Sequence, residues 1–103
     1  MMSRLLKYFV LSLGLVATSA FADNVRIGFV TTLTTPAGAM GRDMVDAANI
    51  ALDHIGHKMG GKAVEFIVED DGFKPEIGKQ KTDKLVKQDD VHFVTGFIWS
   101  HVL

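Results

Sequence analysis

From Asn24 onward the hydrophobic positions switch between a period of two and a period near 3.6. Asn24 to Thr32 (NVRIGFVTT) alternates and is rich in β-branched and aromatic residues. Val25, Ile27 and Phe29 fall on one face, while Gly28 and Val30 on the other are also uncharged. This predicts a strand buried on both sides. Thr34 to Gly41 (TTPAGAMG) is a stretch of small residues that reads as a turn. Met44, Ala47, Ala48, Ala51, Leu52 and Ile55 then recur at helical spacing, which predicts an amphipathic helix over roughly Arg42 to His57. Gly56, Gly60 and Gly61 are placed to stop it.

The alternation returns in Ala63 to Glu69 (AVEFIVE), a second strand that runs into the acidic turn Asp70-Asp71-Gly72. Pro75 suits the first turn of a second helix, because its missing N–H is not needed there. Gly78, Thr82, Leu85 and Val86 would face the sheet, with Lys79, Lys81, Lys84 and Lys87 mostly outside. Val91 to Thr95 (VHFVT) predicts a third strand, and Gly96 ends it. The order β-α-β-α-β with short connections implies an α/β fold, a βαβαβ parallel open sheet.

The amino-terminal segment has a different pattern. Arg4 and Lys7 precede an uncharged, mostly apolar run from Tyr8 to Ala17, and Ala20 and Ala22 supply small residues at A-x-A spacing. This three-part arrangement predicts a signal peptide over residues 1–22, cleaved after Ala22. A membrane span needs about 20 apolar residues, and this run is shorter. The absence of cysteine excludes a lipid-anchored new N-terminus of the lipoprotein kind. It also removes disulfides, thiolate metal sites and a cysteine nucleophile. The expected product is exported, soluble and periplasmic.

Composition adds little beyond this. The chain has 103 residues, 48% of them hydrophobic and 22% charged, which allows one domain at most. Its mean hydropathy of +0.21 owes much to the leader. All 12 acidic residues lie after Ala22, against nine basic ones, so the mature part carries a formal charge of −3. That balance does not favour a nucleic acid or an anionic membrane as partner.

Several motifs invite chemistry. Gly38 and Gly41 give only G-x-x-G, without the dinucleotide pattern or a Walker lysine. His54 and His57, with Asp53, could present two ligands to a metal, but no third is evident, so the expectation is no metal and no cofactor. They read more simply as polar residues near a helix end. Asp70 and Asp71 could form a cation or phosphoacceptor site, and read better as a device that turns the chain into the second helix. Ser100 lies four residues after Gly96, at the carboxyl end of a parallel strand. Ligands of open α/β sheets bind at that end. A hydroxyl with free backbone N–H groups at a helix start makes a carboxylate site, while the plain alternative for Ser100 is an N-cap. His101 is adjacent, but neither an acid partner nor a G-x-S-x-G context accompanies it.

Taken together, these residues resemble the periplasmic solute-binding proteins of ABC transporters, of the branched-chain amino acid (Leu/Ile/Val) type. The resemblance runs over Asp23 to Leu103. It rests on Val25-Arg26-Ile27-Gly28, on Leu33-Thr34-Thr35-Pro36-Ala37 with Gly41, and on Ala47 to Ile55 with the Gly60-Gly61 turn. It continues in Val68-Glu69-Asp70-Asp71 with Pro75, and in Val94-Thr95-Gly96 with Ser100. No single motif is specific; their order and spacing, together with the signal peptide, are.

The resemblance implies a type I periplasmic binding fold, in which two α/β lobes close on a small solute and deliver it to an inner-membrane ABC permease. Residues 23–103 would be a partial N-terminal lobe of a leucine-binding-protein-like domain, since family members are several times longer. Ser100 would hydrogen-bond the ligand carboxylate. Met40 occupies the place of an aromatic that packs on the ligand side chain, and gives a soft apolar wall instead. Trp99 either widens the site toward aromatic or other apolar carboxylates or packs in the core. Residues that bind the ammonium group would come from parts of the family's structure outside these 81 residues. So few residues bury little core and leave a sheet edge uncovered. The piece alone is therefore expected to bind no solute measurably. The implied function is non-enzymatic transport. A ligand-sensing ectodomain of the same fold is an alternative, and an exported α/β hydrolase using Ser100 and His101 is a remote one.

Overall fold

The computed structural model describes residues 23–103. The signal peptide expected over residues 1–22 lies outside them. The elements are β1 (Val25–Thr31), α1 (Gly38–His54), β2 (Lys58–Met59), β3 (Lys62–Asp70), α2 (Pro75–Lys87) and β4 (Phe93–Thr95). They form one four-stranded sheet in the order β2-β3-β1-β4. β1 is central. It pairs in parallel with β3 from Val25↔Val64 to Thr31↔Asp70, and with β4 from Ile27↔Phe93 to Phe29↔Thr95. The parallel βαβαβ order read from the periodicity is therefore the observed one.

β2 is an addition to the expected elements. Gly60 and Gly61 do more than stop a helix. Both adopt left-handed φ (57° and 77°) and close a two-residue hairpin that pairs Lys58 with Ala63 antiparallel. Two consecutive residues at positive φ match the twist of a hairpin, which is why glycine suits both places.

α1 starts at Gly38, not Arg42, and ends at His54, not His57. The small residues read as a turn are partly the first helical turn. A β-carbon on Gly38 would lie 2.4 Å from the Leu33 carbonyl oxygen, and one on Gly41 would lie 1.8 Å from that of Thr32. Glycine lets the helix start pass directly over the end of β1. At the other end Gly56 and His57 take left-handed φ (64° and 55°) and break the helix earlier than its apolar spacing suggests.

α2 agrees with the expectation at its start, with Pro75 in the first turn and Glu76 beside it. Lys84 and Lys87 lie in the last turn, the end at which the helix dipole favours cations. Leu85 is fully buried and sits over Gly28 of β1, where a β-carbon would lie 2.9 Å from its Cδ1. Gly78 is buried against Val102, which folds back from the segment after β4. Val86 is 52% exposed and does not face the sheet as expected. A helix turns 100° per residue, so adjacent positions cannot both point down one narrow contact line.

The lysine-rich face is not simply solvated. Lys84 Nζ bonds Glu69 of β3 at 2.6 Å and Asp89 at 2.8 Å, and Lys81 lies 3.3 Å from the other Glu69 oxygen. These contacts tie α2 to the end of β3.

The core consists of Phe29, Val30, Leu52, Leu85 and Val102. On the α1 side Phe29 and Phe66 meet at 5.4 Å between ring centroids. Leu52 is the one residue of the predicted apolar stripe that is buried; Ile55 is 46% exposed. Between α1 and the sheet lies an open apolar groove of about 300 Å³, lined by Ile27, Phe29, Ala48, Ala51, Leu52, Ile55, Met59, Phe66 and Thr95. No helix among the described residues is long and apolar enough to cross a membrane.

Candidate functional site

The parallel strands bring three connections to one edge of the sheet. These are Thr32–Ala37 after β1, Asp71–Lys74 after β3 and Gly96–Leu103 after β4. The carboxyl edge of such a sheet collects free backbone groups and loop side chains, which makes it the usual place for a ligand.

Asp70 and Asp71 stitch these loops together. Asp70 Oδ1 accepts from the backbone N–H of Leu33 and of Gly72, both at 2.9 Å, and its Oδ2 accepts from the Thr34 hydroxyl at 2.7 Å. Asp71 is fully buried. Its Oδ1 accepts from the Thr32 hydroxyl at 2.5 Å and from the Phe73 N–H at 2.9 Å. The Thr32 oxygen in turn accepts the indole N–H of Trp99 at 3.1 Å. The path Trp99 to Thr32 to Asp71 thus joins all three connections. A carboxylate is suited to this place because it can take several donors at once.

The reading of the acidic pair as a structural device for the turn fits this geometry. Among the described residues no three His, Cys, Asp or Glu side chains come together as a metal cluster. His57 Nε2 instead pairs with Asp53 Oδ1 at 2.6 Å on the exposed surface.

Burial pushes the Asp70 carboxyl up, but the Leu33 and Gly72 amides and the Thr34 hydroxyl outweigh it and hold the group below the usual aspartate range. Next to it, Glu69 is only 13% exposed. Burial would raise Glu69 as well, yet the bonds from Lys84 and Lys81 and their charge lower it overall. A carboxyl depressed in the folded state stabilises the fold fully above its unfolded value. That contribution disappears as the pH falls through the lower, folded value. The melting temperature is therefore expected to drop as the pH goes from about 5 to about 2, spanning the ordinary carboxylate range and below. Asp70→Asn should flatten that acid limb in calorimetric scans. An unchanged slope in the variant would refute the role given to these hydrogen bonds.

The three residues singled out from the sequence occupy this edge. Ser100 is exposed and lies in a turn closed by the Val102 N–H on the Trp99 carbonyl at 3.0 Å. Trp99, just before it, is half-buried, with its indole nitrogen turned inward to Thr32. Met40 lies in the first turn of α1 and is 52% exposed. Trp99 and Ser100 share one segment. Met40 stands apart on α1 and takes no part in the hydrogen-bonded network.

Sequence reasoning passed over Thr32, Thr34 and Phe73. The Phe73 and Trp99 rings meet edge to face, 5.2 Å between centroids at 89°, and the Phe73 ring meets that of His101 at 4.7 Å and 74°. The signal for the threonines was available. Hydroxyls just after one parallel strand lie level with acids ending the next, and the register pairs Thr31 with Asp70.

Residues 24–103 match the family described as Periplasmic binding protein. A Leu/Ile/Val-binding protein of Rhizobium johnstonii is 35% identical over 94 residues, covering 85% of this chain and 25% of the relative. The structure superimposes on an ABC transporter substrate-binding protein from Sphaerobacter thermophilus with a TM-score of 0.75 and 36% identity, over 78% of this chain and 22% of that one. It also superimposes on the branched-chain amino acid transporter substrate-binding protein of Streptococcus pneumoniae, solved in complex with isoleucine. There the TM-score is 0.72 and the identity 26%, over 78% of this chain and 24% of the other. The chain spans about a quarter of the length of these relatives.

Proposed function

The chain belongs to the periplasmic binding protein family, and on that premise we propose that residues 23–103 form the opening part of the solute-receiving lobe of an ABC transporter's substrate-binding protein. The observation that carries this reading is the Trp99–Thr32–Asp71 hydrogen-bonded path. It anchors the segment after β4 from behind while leaving Ser100 exposed at the carboxyl edge. The Ser100 hydroxyl and the N–H groups of its turn take the carboxylate of a small solute. Donors already held in place bind an anion well because little ordering remains to be done on binding. Met40 and the exposed part of Trp99 supply apolar walls.

The solute is a small carboxylate: a branched-chain amino acid, or an aromatic acid where the Trp99 face is used. The protein works without covalent chemistry. Lobe closure buries the solute and shifts an open-to-closed equilibrium, which an inner-membrane permease then reads. Export through a leader cleaved after Ala22 places it in the periplasm.

A chimera tests the site. Residues 24–103 replace the matching quarter of the Rhizobium johnstonii relative. Calorimetric titration with leucine, isoleucine and benzoate is expected to show binding of at least one. Ser100→Ala in the chimera should weaken it about tenfold or more, the size expected for losing a hydrogen bond to a charged group. Equal affinity with and without the hydroxyl would remove Ser100 from the site.

A further inference from the structure

Phe73 is anomalous in two ways. Its backbone is left-handed, with φ 65° directly after Gly72 at φ 57°. The residue is 43% exposed, so burial does not explain it. A bulky L side chain at positive φ is disfavoured by contact between its β-carbon and the backbone. Such conformations persist where the surroundings over-determine them, and they concentrate at functional sites.

Here the surroundings are specific. The Phe73 N–H is bound by buried Asp71 at 2.9 Å. Its ring touches Trp99 and His101, the two residues that flank Ser100. Both contacts are edge-on, the geometry in which a ring's positive edge meets a negative face. Trp99 is further held by its indole N–H on Thr32. Ser100 itself makes no side-chain hydrogen bond among the described residues, so the direction of its hydroxyl follows from its neighbours.

We infer that Phe73 is a positioning residue that clamps the Trp99–Ser100–His101 turn from both sides and so aims the Ser100 hydroxyl and backbone N–H groups. The inference rests on the reading of Ser100 as the carboxylate contact, but the clamp is measurable apart from it. The left-handed backbone is what brings the ring across, so that the side chain of a β3–α2 loop residue lands on the segment following β4.

Phe73→Gly isolates the ring from the backbone, because glycine accepts this φ without strain. The variant should therefore fold, and circular dichroism can confirm it. In the 103-residue chain Trp99 is the only tryptophan. Its emission is expected to shift to the red in Phe73→Gly, and the amide hydrogens of Val102 and Leu103, which close the turn on the Trp99 carbonyl, should exchange at least fivefold faster. Phe73→Tyr, which keeps the ring, should restore both.

In the chimera described above, Phe73→Gly should weaken carboxylate binding about as much as Ser100→Ala, and Phe73→Tyr should recover it. Unchanged emission and exchange in Phe73→Gly would overturn the clamp. A loosened turn with undiminished affinity would overturn its role in aiming Ser100. A chimera that binds no carboxylate, with the turn still loosened by Phe73→Gly, would instead refute the solute reading and leave the clamp standing.

Discussion

Gly41→Ala is expected to lower stability by about 3 kcal/mol or more, the upper part of the range for over-packing a close contact. The added β-carbon would stand 1.8 Å from the Thr32 carbonyl oxygen, 2.7 Å from the Thr32 carbonyl carbon and 3.1 Å from Thr31 Oγ1. The first two are backbone atoms of the chain leaving the central strand, so no side chain can swing aside. Either α1 lifts from the sheet or the end of β1 moves. Moving β1 would break the register that sets Thr31 beside Asp70 and, with it, the Leu33 N–H to Asp70 bond.

The sign of this effect separates two forces. Helix propensity alone favours alanine over glycine by about 1 kcal/mol inside a helix. Steric exclusion opposes that preference and outweighs it at so short a distance. A loss of about 3 kcal/mol corresponds to a fall in melting temperature of about 12 °C or more in a domain of this size. Thermal and urea unfolding followed by circular dichroism would measure it. A variant more stable than the wild type would mean that the helix start does not rest on Thr32.

Leu85→Ala should cost about 2–5 kcal/mol, the range found when a fully buried leucine is truncated and the cavity does not close. Leu85 is the largest completely buried side chain among the described residues, and it is the contact through which α2 sits on β1 over Gly28. The neighbour makes the experiment sharp. Val86→Ala, one residue on, should change stability by no more than about 0.5 kcal/mol, because a half-exposed valine away from special contacts has little to lose. The hydrophobic spacing treats these two residues alike. Equal losses at both positions in denaturant titrations would show that α2 is rotated from the packing described.

The periodicity was sufficient for the central strand, both long helices and the parallel order. Ile27 and Phe29 on one side of β1, and Gly28 and Val30 on the other, already require a layer on each face. Pro75 fixed the start of α2 because only the first turn tolerates its missing N–H. The start of α1 was misread, since Gly38 and Gly41 look like turn residues when considered alone. Their actual use is to let two pieces of backbone touch, a property of the pair and not of either segment. The hairpin of β2 escaped for a related reason. Two residues carry no periodic signal, and Gly60-Gly61 is compatible with a helix stop as well as a tight turn.

The edge that gathers the three loops was legible from the strand order, and so was the place of Ser100 on it, from its distance to Gly96. How that serine is held was not. Thr32, Asp71, Trp99 and Phe73 lie up to 67 residues apart along the chain and meet only once the loops stand side by side. Local sequence determines which segments are strands and helices, because the period of apolar residues reflects which face must leave water. It does not determine which hydroxyl reaches which carboxylate, or which ring leans on which loop. Those depend on the register of β3 against β1 and on the left-handed turn at Phe73, so tertiary packing alone decided them.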